Sequence, residues 1–208
     1  MVVRSGGRNL TRIWSLRRRN RRRAYRLVFV FLETRKGIVK NRLSPFDLVV
    51  ALRLLSGADK FAALAADLGA SLSQVHKSVQ TLEFAQLLRP GTREVNRIHL
   101  GEFLIHGARY AFPARPGVRV IGVPTAHSAR DLINEIKATE AYVWPSADGE
   151  VIGSSIEPLY AGAPKLRERS PETYRLLTLF DALRVGSSRE RRLARTKLET
   201  ALAHRPVV

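Results

Sequence analysis

The stretch that most constrains this chain is residues 61–88, FAALAADLGASLSQVHKSVQTLEFAQLL. A helical pattern carrying Leu64, Ala65 and Leu68 runs into Gly69. Glycine is the usual helix stop, because it takes a left-handed backbone without a Cβ clash. Two residues later Ser71 opens a second helical pattern, and Ser71 and Gln74 have the S-x-x-Q spacing of a capping box. Leu72, Val75, Val79 and Leu82 recur on one face of that second helix. Ser73, Gln74, His76, Lys77 and Gln80 are left on the other faces, pointing outward. Ala65 lies four residues before Gly69 and Val75 six after it. Together they supply the small residue a close helix crossing needs, the sharp turn, and an apolar residue facing back across it.

The flanks complete a small helical unit. Ser44-Pro45 is a helix start, with Ser as N-cap, Pro at the first helical position and Asp47 in the first turn. Phe46, Val49, Val50, Leu52 and Leu55 give that helix a broad apolar face closed by Gly57, so it is expected to pack behind the 61–88 pair as a three-helix core. RPGTREVN at 89–96 carries a Pro90-Gly91 turn signal and reads as a minimal two-stranded ribbon or a loop, with Arg89, Arg93 and Arg97 within reach of phosphates. Asn96 caps a predicted helix over 97–110, which Pro113 and Pro116 terminate. His99 and His106, seven apart on that helix, are poorly spaced to share a metal.

Charge narrows the partner. Of the formal +18, residues 1–42 carry +13, from 14 Lys or Arg against the single acid Glu33. The body carries the remaining +5. Such charge favours nucleic acid through counterion release and confers no sequence specificity. The run RRRNRRR at 17–23 has the composition of an arginine-rich arm for DNA or RNA. The apolar run LVFVFL at 27–32 is shorter than a signal-peptide core and is followed by no small-residue cleavage site. Residues 1–42 are therefore expected to be a disordered basic extension. Val39 stands as an alternative start, since the compact pattern begins at Leu43. The chain has no cysteine, hence no disulfide framework and no thiolate metal site, which fits a reducing cytoplasm. No apolar run reaches the roughly 18 residues of a membrane span.

The second half mixes short strands with two long helices. Residues 117–129 have β-prone pieces broken by Gly and Pro and read as a strap over a helical core. Thr125, His127 and Ser128 stand together there, but no nearby carboxylate and no G-x-S-x-G motif supports hydrolytic chemistry, so no catalytic residue, metal or cofactor is assigned. A short helix is expected over 130–139. Tyr142-Val143-Trp144 and Val151-Ile152 flank PSADGE, whose Asp148-Gly149 predicts a β-hairpin. Pro158-Leu159-Tyr160 reads as an extended linker. Ser170-Pro171-Glu172 repeats the earlier start signal, and the helix to Val185 carries more apolar residues than one face uses: Tyr174, Leu176, Leu177, Leu179, Phe180 and Leu183. That excess predicts a homodimer through helices 170–185 and 188–203, the second capped by Ser187 or Ser188.

Residues 43–110 resemble the winged helix-turn-helix of MarR-like bacterial transcription regulators. The whole of 43–203 is similar to a poorly characterised bacterial helix-turn-helix family on SPFDLVVALRLL, FLIHGARYAFPA, GVPTAHSA, EPLY and LLTLFDALRVGSSRER. The resemblance implies a mainly α protein with a small β component: a winged helix-turn-helix over 43–112 and a C-terminal α+β region over 113–208. It implies a cytoplasmic regulator of transcription, a repressor that binds double-stranded DNA through Ser71, Ser73, Gln74, Lys77 and Gln80, to which the basic side chains Arg93 and Arg97 add phosphate contacts. Some members of that family stand beside nucleotidyltransferase-like toxin genes, which implies an antitoxin that binds a toxin partner and autoregulates its operon. An RNA-binding protein acting through the arginine-rich segment is the other alternative.

Overall fold

The computed structural model describes residues 42–58 and 60–204. The readings of an arginine-rich arm, of the 27–32 run and of a start at Val39 fall outside the described residues. The described chain is mainly helical with one small three-stranded sheet. Among the described residues no helix is long and apolar enough to cross a membrane.

Helix α1 (Pro45–Leu55) starts as its sequence predicts. Ser44 Oγ accepts the Asp47 N–H, while the Asp47 carboxylate accepts the Ser44 N–H and O–H, both at 2.8 Å. Leu48, Val49, Val50, Ala51 and Leu52 are all buried, so α1 is covered on nearly every side. Helices α2 (Phe61–Leu68) and α3 (Leu72–Phe84) pack on it and on each other. Asn96 caps α4 (Arg97–Glu102) by accepting the His99 N–H. The helix predicted over 97–110 is not continuous: a π turn at Phe103–Gly107 separates α4 from α5 (Ala108–Ala111). The wider turn suits residues spaced by four, and Leu100, Leu104 and Ala108 are all fully buried.

Within the 117–129 segment, expected as a strap, residues 119–124 form a strand. β1 (Arg119–Pro124) pairs antiparallel with β2 (Tyr142–Pro145), placing Val123 opposite Trp144. It also pairs antiparallel with β3 (Val151–Ser155), placing Ile121 opposite Ile152. β2 and β3 consequently run parallel to each other, and the three strands close on themselves. The predicted hairpin between 142–144 and 151–152 is therefore replaced by two pairings with a shared third strand. The Asp148-Gly149 turn does form, with the Gly149 N–H donating to Ser146 O at 3.1 Å. Closure this tight requires bare backbone: a Cβ on Gly122 would collide with the Trp144 carbonyl, and one on Gly149 with Gly122 itself.

After β1 comes a 3-10 turn at Ala126–Ser128, then α6 (Arg130–Ile133), shorter than the predicted 130–139 helix. Pro158–Tyr160 leads into a 3-10 turn at Ala163–Lys165 and α7 (Leu166–Arg169), neither of which the linker reading anticipated. Helix α8 (Pro171–Val185) begins at the predicted place, but Ser170 does not cap it; its hydroxyl pairs with Thr173 Oγ1 at 2.8 Å instead. Helix α9 (Ser188–Ala203) starts with a full capping box between Ser187 and Glu190.

Helix α8 is the centre of the molecule. Residues Leu176, Leu177, Leu179, Phe180, Ala182 and Leu183 are at most 4% exposed, covered by α1, α5, α6, α7, α9 and the Ala126–Ser128 turn. A helix apolar all round is a buried helix. Five of the six apolar residues on which the dimer expectation rests are thus covered within one chain, and Tyr174 is partly buried. One core cluster runs from Leu48 to Leu202, so the 43–112 and 113–208 regions share it.

Candidate nucleic-acid interface

The α2–α3 turn has the geometry its sequence demands. Gly69 adopts φ +60°, its N–H donates to Ala66 O, and the Ala70 N–H reaches back to Ala65 O at 2.9 Å. These two bonds make a Schellman stop. Ser71 Oγ then accepts the Gln74 N–H at 3.1 Å, one half of the capping box read in the sequence. Val75, Ser78, Val79, Thr81 and Leu82 face the core. Leu72 does not: it is 53% exposed, because the first turn of α3 projects beyond what α1 and α2 cover.

The outer face of α3 presents Ser73, Gln74, Lys77 and Gln80, all exposed. Ser71 is exposed at the cap. His76, on the flank, stacks on Phe61 from the start of α2, with ring centroids 3.9 Å apart and planes at 22°. The Arg93 guanidinium lies over the Phe61 ring, 5.2 Å from its centroid. Phe61 is thus the node at which α2, α3 and the 89–95 loop meet. The loop is a minimal antiparallel ribbon: Leu88 bridges Val95, the Arg89 N–H donates to Glu94 O at 2.8 Å, and the Asn96 N–H to Leu87 O at 2.9 Å. Arg89 pairs with Glu94 at 3.3 Å.

Six of the seven side chains assigned to nucleic acid therefore lie on α3 or in the loop beside it, and one does not. Arg97 points away, its Nη1 donating to Leu202 O at 2.9 Å and His204 O at 2.8 Å. It holds the last carbonyls of α9, which have no helical partner of their own and attract a cation. Nothing local in RPGTREVN signals this, since the acceptors lie more than 100 residues downstream.

A second polar cluster, around Asp181 of α8, was invisible in the sequence. Its buried carboxylate accepts the Thr125 hydroxyl at 2.8 Å, the Trp144 indole N–H at 2.6 Å and Arg184 Nη1 at 2.7 Å. Burial pushes the Asp181 carboxyl up from its ordinary value, while the Arg184 guanidinium, Thr125 and Trp144 pull it back. Arg184 in turn donates to Phe112 O at 2.9 Å. The carboxylates that the Thr125, His127 and Ser128 group lacks in sequence are thus supplied by the fold, with Glu190 3.6 Å from His127 Nδ1. Each residue makes a hydrogen bond, although the buried His127 Nδ1 itself has no hydrogen-bond partner. Ser128 Oγ accepts the Tyr142 N–H at 2.8 Å, and His127 Nε2 meets Glu140 O at 2.9 Å. The cluster acts as a joint between the sheet and α8. A cleft of about 830 Å³ beside it contains Arg175, which pairs with both Asp131 and Glu172 at 2.8 Å. Tyr174 on its wall donates to Pro124 O, and burial pushes its phenol up to about 12. Among the described residues, no group of three or more His, Asp or Glu side chains is arranged to hold a metal ion.

Compared with known protein families, curated proteins and solved structures, the chain matches none.

Proposed function

We propose that this chain is a sequence-specific double-stranded DNA-binding regulator of transcription, a repressor that acts by occupying its site. In this reading α1–α3 form a helix-turn-helix, α3 is the recognition helix and the 89–95 ribbon is a minimal wing. The observation that carries it is the division of α3: one face is locked into the core, while Ser73, Gln74, Lys77 and Gln80 stand exposed on the other, with Arg93 beside them. Gln74 and Gln80 have the donor–acceptor pair that bonds adenine bidentately, and Lys77 suits guanine or a phosphate. Arg97 is not part of this surface. Selection of bound duplexes from a random pool, followed by titration of the selected duplex, tests the reading. Gln74→Ala and Lys77→Ala are each expected to lose about 1–3 kcal/mol of specific binding. Undiminished affinity in both folded variants would overturn it.

A second reading, in which the 113–208 region binds a protein partner as an antitoxin does, draws on one observation. Ile121 and Ile152, directly opposite each other on β1 and β3, are 55% and 60% exposed, and Val118 nearby is 76% exposed. An exposed apolar pair across two strands suits a contact with a partner. Affinity capture with the β1–β3 face intact and with Ile121→Lys distinguishes this reading from a regulator acting alone.

A further inference from the structure

The corner where α2 turns into α3 is shared with a segment about 100 residues away in sequence. Helix α7 packs against α2, anchored by Leu166, which is fully buried. The chain leading into α7 is held by Tyr160, whose ring stands edge-to-face on Phe46 of α1 at 5.7 Å. At the end of α7 is Arg169, whose Nη1 lies 3.5 Å from the point a Cβ on Gly69 would occupy. Its guanidinium therefore sits over the turn that starts the recognition helix.

Two observations leave this guanidinium open to an outside anion, although it also lies near the Tyr160 phenol. It is exposed, and among the described residues it forms no ion pair with a carboxylate. Asp67, the acid of this corner, is taken by Arg53, whose Nε and Nη2 donate to it at 2.9 and 2.7 Å. A guanidinium fixed at its base, with a fork of donors and no acid of its own, suits a phosphate.

The placement has a scale. Arg93 lies at the Phe61 end of α2, and Arg169 at the Gly69 end. Eight residues of helix, Phe61 to Leu68, rise about 12 Å. The major groove of B-DNA is about 12 Å wide. We infer that Arg169, contributed by the C-terminal region, is a DNA phosphate contact, so that Arg93 and Arg169 grip the two phosphate walls of one major groove while α3 lies between them. This rests on the reading of α3 as a recognition helix.

The test uses the full chain and its selected duplex. Arg169→Ala is expected to flatten the dependence of log affinity on log salt by about 0.9, the contribution of one phosphate contact. With equal affinity at the 1 M reference, that change makes the variant roughly eightfold weaker than the wild type at 0.1 M salt, for selected and random duplexes alike. Base preference is expected to stay unchanged, and Arg169→Lys is expected to keep the slope. Because the chain has no cysteine, Arg93→Cys and Arg169→Cys can each carry a DNA-cleaving iron chelate. Cuts at opposite edges of one major groove support the inference. Wild-type slope and affinity in Arg169→Ala, or cuts at one edge only, overturn it while the proposed function stands. A wild-type chain with no sequence preference overturns both.

Discussion

Helices α3 and α8 are built from similar materials and use them in opposite ways. Both begin after a serine, and both carry polar groups among apolar ones. In α8 the polar groups are buried and engaged: Thr173 meets Ser56 and Ser170, Thr178 donates to Arg175 O, and Asp181 collects three donors. In α3 the side chains of Ser73, Gln74, Lys77 and Gln80 are exposed, and the core holds the helix without them. A buried polar group left unpaired costs more than an exposed one ever contributes, so the first kind is fixed by folding and the second is open to selection for binding.

That contrast can be broken most forcefully at Asp181. Asp181→Asn replaces the carboxylate with a neutral amide and leaves the Arg184 guanidinium, only 4% exposed, without its counter-charge. A loss of about 3–5 kcal/mol is expected, read as a shift in the urea midpoint. A loss under about 1 kcal/mol would mean that the network is peripheral to stability. Gly69→Ala should cost less, about 1–2 kcal/mol, because alanine must take φ +60°, although the space around it is adequate. Smallest of all is the expected stability change in Gln74→Ala and Lys77→Ala, within about 0.5 kcal/mol by the same denaturation. If either variant were as damaging as Asp181→Asn, its side chain would belong to the fold and not to a binding surface.

Capping signals in the sequence match the structure at four helix starts, with Ser170 the exception. Ser44, Ser71, Asn96 and Ser187 each accept a backbone N–H three residues on, and Gly69 stops α2 by the mechanism expected of it. What the sequence concealed depends on distant partners. The strap reading of 117–129 misses that strands 142–145 and 151–155 both pair with it, because pairing across 19 to 35 residues leaves no local mark. Gly122 and Gly149 were the available clue, since each lacks a side chain where two backbones touch. The surplus of leucines on α8 was visible, but whether one chain or two would cover it was not. Arg97 looked like its basic neighbours until the end of α9 was placed against it. The α3 face was the legible part of the site, because a helical period and a capped start specify which side chains look outward.

The contact between α1 and α8 also has a consequence in time. Leu48, Val49, Val50 and Leu52 of α1 are made well before the helix that covers them, which ends at Val185. At synthesis rates of about 5–20 residues per second, that delay is roughly 6–26 s. For that interval the face of α1 that α8 covers lacks its lasting partner, so the packing of α1–α3 is completed only once the C-terminal helices have been made.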